Sequence, residues 1–229
     1  MRIVFFTGAG VSQASGIPTF RDRMALWDIN DPERLASIVA WRDRNNRAEM
    51  LRFHNVFRTL IEDNAPNEAH QYISDLQNDH DVIVVTQNVD NFHERAGSNN
   101  VIHLHGNLFE ARSSFNPNFV YTRHEDISLG DRCERGSQLR PNVVWFGEEL
   151  NQTDVRNAEE HIQACEMFVI IGTSLNVDPA AGMVNLVGDN CRVIAVDPNP
   201  SNLNRNMVII QNTAIGGLEE LRMSIERFH

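Results

Sequence analysis

Thr7-Gly-Ala-Gly-Val-Ser-Gln-Ala-Ser-Gly-Ile-Pro-Thr-Phe-Arg21 follows directly on the apolar run Arg2-Ile-Val-Phe-Phe6. A short run rich in β-branched and aromatic residues predicts a buried parallel strand. The glycines after it permit a tight turn where a side chain would clash. Ser12 or a neighbouring turn residue is placed to cap a short helix. Strand, glycine turn and helix start together make a cradle of backbone N–H groups for an anion, with a dinucleotide pyrophosphate as the expected guest. The pattern is not the full G-x-G-x-x-G order, since Gly8, Gly10 and Gly16 are spaced differently, and no Gly-Lys-Ser/Thr follows to make a mononucleotide loop. A plain structural turn is the other reading of these glycines.

Bulk properties narrow the class. A chain of 229 residues with 41% hydrophobic content can bury a substantial core, as one domain with an insertion or two unequal lobes. The formal charge of −11 and the lack of a basic tract argue against nucleic acid as a partner. An acidic protein still binds an anionic cofactor through local backbone donors, and suits a basic, lysine-bearing partner. Cys133, Cys165 and Cys191 make no disulfide framework, the first apolar run is too short for a signal peptide, and no run reaches membrane-span length. The expected setting is a reducing cytoplasm, with no membrane partner.

Downstream, residues 22–46 read as irregular and polar, with Leu26 and Trp27 either an apolar underside for a covering loop or closing the core beneath a surface loop. Met50, Phe53, Phe57, Leu60 and Ile61 recur at helical spacing. Asn67 is positioned to cap a helix running to about Leu76. Asp81-Val-Ile-Val-Val85 predicts a strand that ends in Thr86-Gln-Asn-Val-Asp-Asn91. Because ligands of open α/β sheets bind beyond strand ends, Asn88 and Asp90 are site candidates, or else caps of a helix near Phe92. Val101-Ile102 leads to His103-Leu-His-Gly106, and strand alternation would place His103 and His105 on one face. That pair suits a metal, for which a third ligand is lacking, or a single general base.

Residues 107–142 break the α/β rhythm and read as a small lobe of short strands and loops. Pro141-Asn-Val-Val-Trp-Phe-Gly-Glu148 leads back to the larger domain and offers an edge for an extended peptide, or an ordinary buried strand. Val155–Cys165 predicts a helix. Met167-Phe-Val-Ile-Ile171 predicts a strand ending in Gly172-Thr-Ser174. A helix over 179–187, strands at 191–196 and 207–210, and a helix over 217–228 complete the pattern. Asp197 or Asn199 is placed to contact an adenosine sugar. The expected architecture is α/β: a Rossmann-like parallel sheet with helices on both faces (residues 1–106 and 143–229) and a small inserted lobe (107–142).

Taken in order, Gly8-Ala-Gly-Val-Ser12 with Ser15-Gly-Ile-Pro18 and Phe20-Arg21, Thr86-Gln-Asn-Val-Asp90, His103-Leu-His-Gly106, Val143-Val-Trp-Phe-Gly-Glu148, and Gly172-Thr-Ser-Leu-Asn-Val177 with Pro179-Ala180 resemble the sirtuin family of NAD-dependent protein-lysine deacylases. The resemblance covers nearly the whole chain. It implies a large Rossmann-like domain, a smaller lobe and NAD in the cleft between them. It places Gly8, Ala9, Gly10 and Ser12, with Gly172, Thr173 and Ser174, around phosphates and ribose. Phe20 and Arg21 would sit in a loop over the cofactor. Gln87 and Asn88 would hold the ribose next to the nicotinamide, and Asp90 its carboxamide. His105, with Asn88 and Asp90, would form the catalytic set, His105 as general base. Val143, Trp145, Phe146 and Gly147 would line an acyl-lysine tunnel, and Asn212-Thr-Ala214 would touch adenine.

The implied reaction transfers the acyl group of a lysine to NAD, releasing nicotinamide and 2′-O-acyl-ADP-ribose, with a protein or peptide as the partner. An NAD glycohydrolase, an ADP-ribosyltransferase or a non-catalytic NAD-binding module on the same scaffold are the alternatives.

Two departures from the family pattern matter. Bacterial relatives that favour acidic acyl groups carry Tyr and Arg three apart where this chain has His54 and Phe57, so neutral acyl groups are expected. Most members also hold zinc through two Cys-x-x-Cys pairs. Here Ser113, Asn116, Arg132 and Arg135 fall at those positions, with Cys133 one place out of register. One thiolate cannot make a four-ligand site, so no structural zinc is expected. Metal analysis of the untagged protein should find zinc well below stoichiometric; one zinc per chain overturns this reading.

Overall fold

The computed structural model describes residues 1–18, 32–173, 175, 180–200 and 206–227. Phe20, Arg21, Leu26, Trp27 and Ser174, singled out in the sequence, lie outside them. Six strands form one parallel sheet: β1 (Arg2–Thr7), β2 (Asp81–Thr86), β3 (Val101–His103), β7 (Met167–Ile171), β8 (Arg192–Val196) and β9 (Val208–Ile210), in the order β3-β2-β1-β7-β8-β9. β1 is central, paired in parallel with β2 on one side and β7 on the other. Strand order therefore reverses between β1 and β7, which opens a crevice at their carboxyl ends.

Alternation along each strand sorts the core into two layers. Val4, Phe6, Ile83, Val85, Phe168 and Ile170 meet Ala158 and Ile162 of helix α6 (Gln152–Gln163) and the 3₁₀ helix Ala180–Leu186. Ile3, Phe5, Val82, Val84, Val169 and Ile194 face the other way, onto Ala69 and Ile73 of α4 (Glu68–Asp75) and Leu221 and Ile225 of α7 (Leu218–Glu226). Both faces are thus covered, which is why these strands read as continuous apolar runs. Asn67 caps α4 as expected. Its side chain accepts from Ala69 N–H at 2.9 Å, while its own N–H donates to His70 Nδ1 at 3.2 Å.

A third apolar cluster lies outside the large sheet. Helices α1 (Pro32–Leu35), α2 (Ile38–Arg42) and α3 (Arg47–Glu62) bury Leu35, Trp41, Met50, Leu51 and Phe53 against Leu108, Ala111, Leu139 and Trp145. The latter come from, or follow, a small antiparallel sheet, β5-β4-β6, of β4 (Gly106–Ser113), β5 (Val120–Thr122) and β6 (Leu139–Val143). The stretch 32–46, expected to be irregular, carries α1 and α2. Their single-turn length gives too few residues for a helical period to show. At the tip of this sheet Cys133 Sγ donates to Ser113 Oγ at 3.4 Å, and Ser113 Oγ also accepts from Phe115 and Asn116 N–H. Hydrogen bonds thus join the two turns.

The loops at the crevice interlock through backbone. Gly8 N–H donates to Ile171 O at 3.1 Å and Gly10 N–H to Gly172 O at 2.9 Å. A Cβ on Gly172 would stand 2.5 Å from Gly10 C, and Gly172 also has φ +61°. Gly172→Ala should therefore cost about 2–4 kcal/mol in denaturant unfolding, from clash plus a left-handed backbone. Gly188→Ala, whose added Cβ meets nothing nearer than 3.9 Å, should stay within about 0.5 kcal/mol. Equal stability of the two variants contradicts the interlock.

Candidate active site

The residues leaving β1, β2 and β7 converge at this crevice. The turn after β1 forms two 3₁₀ segments, Ala9–Val11 and Gln13–Ser15, rather than an α-helix, and Ser12 caps neither through its side chain. Its Oγ instead donates to Asp90 Oδ2 at 2.9 Å and accepts from Asn88 Nδ2 at 3.1 Å. The expected cradle is also narrower than the glycines suggest. The N–H groups of Gly8, Gly10, Val11 and Ser12 are all taken internally, and Ala9 N–H alone in that run has no partner among the described residues.

Beneath this turn lies a connected polar layer. Thr7 and Thr86 end neighbouring strands in register, and Thr7 Oγ1 donates to Thr86 Oγ1 at 2.9 Å. Thr86 Oγ1 accepts from Asn88 N–H at 3.1 Å, and Asn88 Nδ2 also reaches Gly8 O at 3.2 Å. Asp90 is buried, with its second oxygen accepting from Phe92 N–H at 3.1 Å. Burial pushes its carboxyl above the ordinary range, and the two hydrogen bonds and the nearby His103 oppose that shift. His93 Nε2 lies 3.1 Å from Thr7 Oγ1, and His70 packs edge-on against His93 with ring centroids 4.8 Å apart. Gln87 Nε2 donates to Thr173 Oγ1 at 3.0 Å, joining the β2 loop to the β7 loop.

β3 stops at His103, so the strand does not persist to His105, yet both rings turn onto the same loop. His105 Nδ1 donates to Gln87 O at 2.8 Å and His103 Nδ1 to Asn88 O at 3.1 Å. Burial lowers the His105 pKa against the opposing bond to Gln87 O, and its Nε2 has no partner among the described residues. A neutral ring held by one nitrogen, with the other carrying a lone pair, is the arrangement of a general base.

The segment after β6 is fixed at both ends. Val144 N–H donates to His105 O at 2.8 Å. Phe146 N–H donates to Ala36 O at 2.7 Å, and Phe146 O accepts from Ile38 N–H at 3.0 Å. Between them, buried Trp145 donates its indole N–H to His54 Nε2 at 3.0 Å, and His54 Nδ1 donates to Met50 O at 2.7 Å. The Arg140 guanidinium lies 3.3 Å above the Trp145 ring and is bound by Glu148 at 2.6 and 2.9 Å. Glu148 further accepts from Arg112 and from Trp145 N–H, both at 2.9 Å. Burial opposes the Glu148 charge, but the two guanidiniums hold it below the usual carboxylate range.

The remaining sequence candidates lie on the same end of the sheet but apart from this network. Asp197 follows β8 and spends Oδ1 on Asn199 N–H at 2.7 Å, closing its own turn. Ala214 is buried in the large-sheet core. Thr7, Thr86, His70, His93, Arg140 and Glu148 belong to the layer around the site and carried no role in the sequence reading. Polar residues ending two apolar strands were the available signal for the threonines. Nothing in the spacing marks Arg140 and Glu148 as partners.

An open parallel sheet with interlocked glycine loops at its switch point and a buried polar layer below defines a dinucleotide-type α/β protein. The chain belongs to the Sir2 family, whose pattern it matches over residues 8–179. It is 38% identical over 228 residues to an NAD-dependent protein deacylase of Bacteroides thetaiotaomicron, covering 96% of each chain. It superposes on a Sir2 homologue in complex with NAD at TM-score 0.87 and 33% identity, covering 99% of this chain and 90% of that one. A Sir2 structure with a deacetylated p53 peptide and 3′-O-acetyl ADP-ribose matches at TM-score 0.79 and 28% identity, over 95% of this chain and 92% of that one.

Four buried or half-buried histidines set the acid response. Burial lowers His54 and His70 to about 4, His93 well below its ordinary value, and His105 below it. They are neutral in the fold and protonate in the unfolded chain, so their stabilisation is full above about pH 6.5 and is lost as pH falls towards 4. The loss for His54 alone is on the order of 3 kcal/mol. Urea unfolding at pH 7.5, 6 and 5 should show stability falling steadily; a flat profile contradicts the burial of neutral rings.

Proposed function

We propose that the protein is an NAD-dependent protein-lysine deacylase, acting on an acyl-lysine peptide or protein in a cytoplasmic setting. The observation that carries the mechanism is His105: Nδ1 bound to Gln87 O, Nε2 without a partner among the described residues, on the turn that also anchors Val144. The glycine loops meet where a dinucleotide-binding sheet takes its ligand: a Cβ at Gly8, Gly10 or Gly172 would strike the facing loop, so only glycine lets the two loops close on each other, and Ala9 N–H, without a partner among the described residues, would serve an anion. Gly8, Ala9, Gly10, Ser12, Gly172 and Thr173 would hold phosphates and ribose, and Gln87, Asn88 and Asp90 the nicotinamide end. NAD supplies the electrophilic ribose carbon and the leaving nicotinamide. His105 Nε2 takes the proton of a ribose hydroxyl, and its position is held by the Gln87 carbonyl rather than by a carboxylate.

Relatives and fold speak for the activity; the acyl preference rests on the residues around Trp145. His54 is neutral and spends Nε2 on the indole N–H, and Phe57 brings no charge. Arg58 is buried and directed to Asp126 Oδ1 at 2.9 Å and Asn55 Oδ1 at 3.1 Å. Arg140 is committed to Glu148. Each of these guanidiniums is already ion-paired with a carboxylate, Arg58 with Asp126 and Arg140 with Glu148, although Arg58 Nη1 and Arg140 Nε have no partner among the described residues; an acidic acyl chain would have to compete with those carboxylates, which favours neutral acyl groups. No helix of the described residues is long and apolar enough to cross a membrane, and all three cysteines are free.

Mass spectrometry of products with NAD, with and without acetyl-lysine peptide, tests the proposal. Peptide-dependent nicotinamide and O-acetyl-ADP-ribose are expected, lost by about 10²–10⁴-fold in His105→Ala. The acid limb of kcat/KM should lie below pH 6.5, following the lowered His105. Succinyl-lysine should react slowly. NAD loss without peptide would instead identify a glycohydrolase, and binding without turnover a sensor.

A further inference from the structure

His103 is not used by the mechanism above, yet its surroundings are more constrained than those of His105. Nδ1 meets Asn88 O at 3.1 Å and Nε2 meets Glu94 Oε1 at 2.7 Å. One partner is a backbone carbonyl and the other a carboxylate, and both only accept. A neutral imidazole has one N–H and can satisfy one of them; only the imidazolium satisfies both. We infer that His103 is a positioning residue: as a cation bridging Glu94 to the Asn88 carbonyl, it fixes the loop carrying Gln87, Asn88 and Asp90 and supplies a countercharge to buried Asp90.

The loop is held in consequence by two histidines with opposite charge states. His105 grips the Gln87 carbonyl and stays neutral, leaving Nε2 for chemistry. His103 grips the next carbonyl and is charged through Glu94, an element away on α5 (Phe92–Arg95). From Asn88 the constraint passes onward. Its Nδ2 binds Gly8 O and Ser12 Oγ, and Ser12 binds Asp90. Fixing the Asn88 peptide therefore aligns the β1 glycine turn with the Asp90 carboxylate.

The charged and titratable groups facing His103 are Glu94 and His93 from α5, Asp90 from the loop after β2, and Asp154 from α6. Burial works against the cation, but the Glu94 bond and charge, the Asn88 carbonyl and Asp90 outweigh it, so the His103 pKa lies above 6.5. His93 is neutral there. A raised histidine keeps its bridging form below the unfolded value and loses it as pH rises through the folded one. The bridge therefore shapes the alkaline side of the pH profile, while His105 shapes the acid side.

The kinetic consequence rests on the deacylase reading, so two readouts are needed. Ring ¹⁵N NMR of the intact protein at pH 7 should show both His103 nitrogens protonated and His105 as a neutral Nδ1–H ring. Glu94→Gln, at a partly exposed position, should fold with wild-type circular dichroism. It should shift the alkaline limb of kcat/KM for NAD down by about one pH unit. It should also raise KM for NAD severalfold with kcat nearly unchanged. His103→Gln, which keeps a donor for Asn88 O without charge, should remove that limb. A single neutral tautomer of His103 at pH 7, or an alkaline limb unmoved in both variants, overturns the inference. If the wild-type enzyme turns over no NAD with peptide, the deacylase reading fails, and the NMR result alone decides the charge of His103.

Discussion

The approach of the loop after β1 to the loop after β7 is the constraint on which the rest depends. Gly10 N–H reaches Gly172 O at 2.9 Å, and no side chain fits at Gly10 or Gly172 without striking the opposite backbone. The contact locks the two halves of the parallel sheet together where strand order reverses. It also consumes amides that an anion site would otherwise use. Among the described residues, the groups left to a ligand at this crevice are Ala9 N–H and side chains supplied from below, which is why the polar layer beneath the turn matters.

That layer solves a burial problem. Thr7, Thr86, Asn88, Asp90, His70 and His93 are all buried, and a buried polar group without a partner is costly. The chain answers by linking them: Thr7 to Thr86, Thr86 to Asn88, Asn88 to Ser12, Ser12 to Asp90. A connected set is rigid because moving one member strands another. On the proposed reading that rigidity would serve function, since the groups at the top of the layer would hold the nicotinamide end of a dinucleotide in one orientation. Ser12 illustrates the trade. A helix cap would have satisfied one local N–H, whereas its position in the network couples the glycine turn to Asp90.

How much of this could be read beforehand follows from the kind of interaction involved. The strands were legible because burial on both faces leaves unbroken apolar runs, as in Phe5-Phe6 and Met167-Phe-Val-Ile-Ile171. Asn67 was legible because capping is local, set by neighbours within three residues. The ordered motifs marked His105 and Asn88 for the same reason, each being a short stretch at a strand end. Arg140 with Glu148, Trp145 with His54, and His103 with Glu94 were not legible. Their pairing is decided by how distant elements pack, and single residues at separations of 8, 91 and 9 leave no periodic trace. The same applies to α1 and α2, which exist because Leu35 and Trp41 find an apolar partner across the small sheet.

The small sheet and helices α1–α3, from two separate stretches of the chain, are packed on each other as one unit. Its core is apolar, from Leu35 to Leu139, and its polar fastening is the Arg140–Glu148–Arg112 cluster over Trp145. Breaking one member of such a buried cluster leaves the others uncompensated, so the cluster fixes one geometry more than it adds stability. That geometry sets Val143 to Gly147 between His105 and residues 36–38. Phe146 has both backbone groups committed to Ala36 and Ile38, so a peptide strand laid along this segment must take another edge or compete with them. The half-exposed Phe146 side chain, unlike its backbone, remains free to face a guest. On the proposed reading, recognition at this end would therefore fall on side chains such as Phe146 rather than on the backbone of this segment, while the reacting end would be governed by the loop that His103 and His105 hold from below.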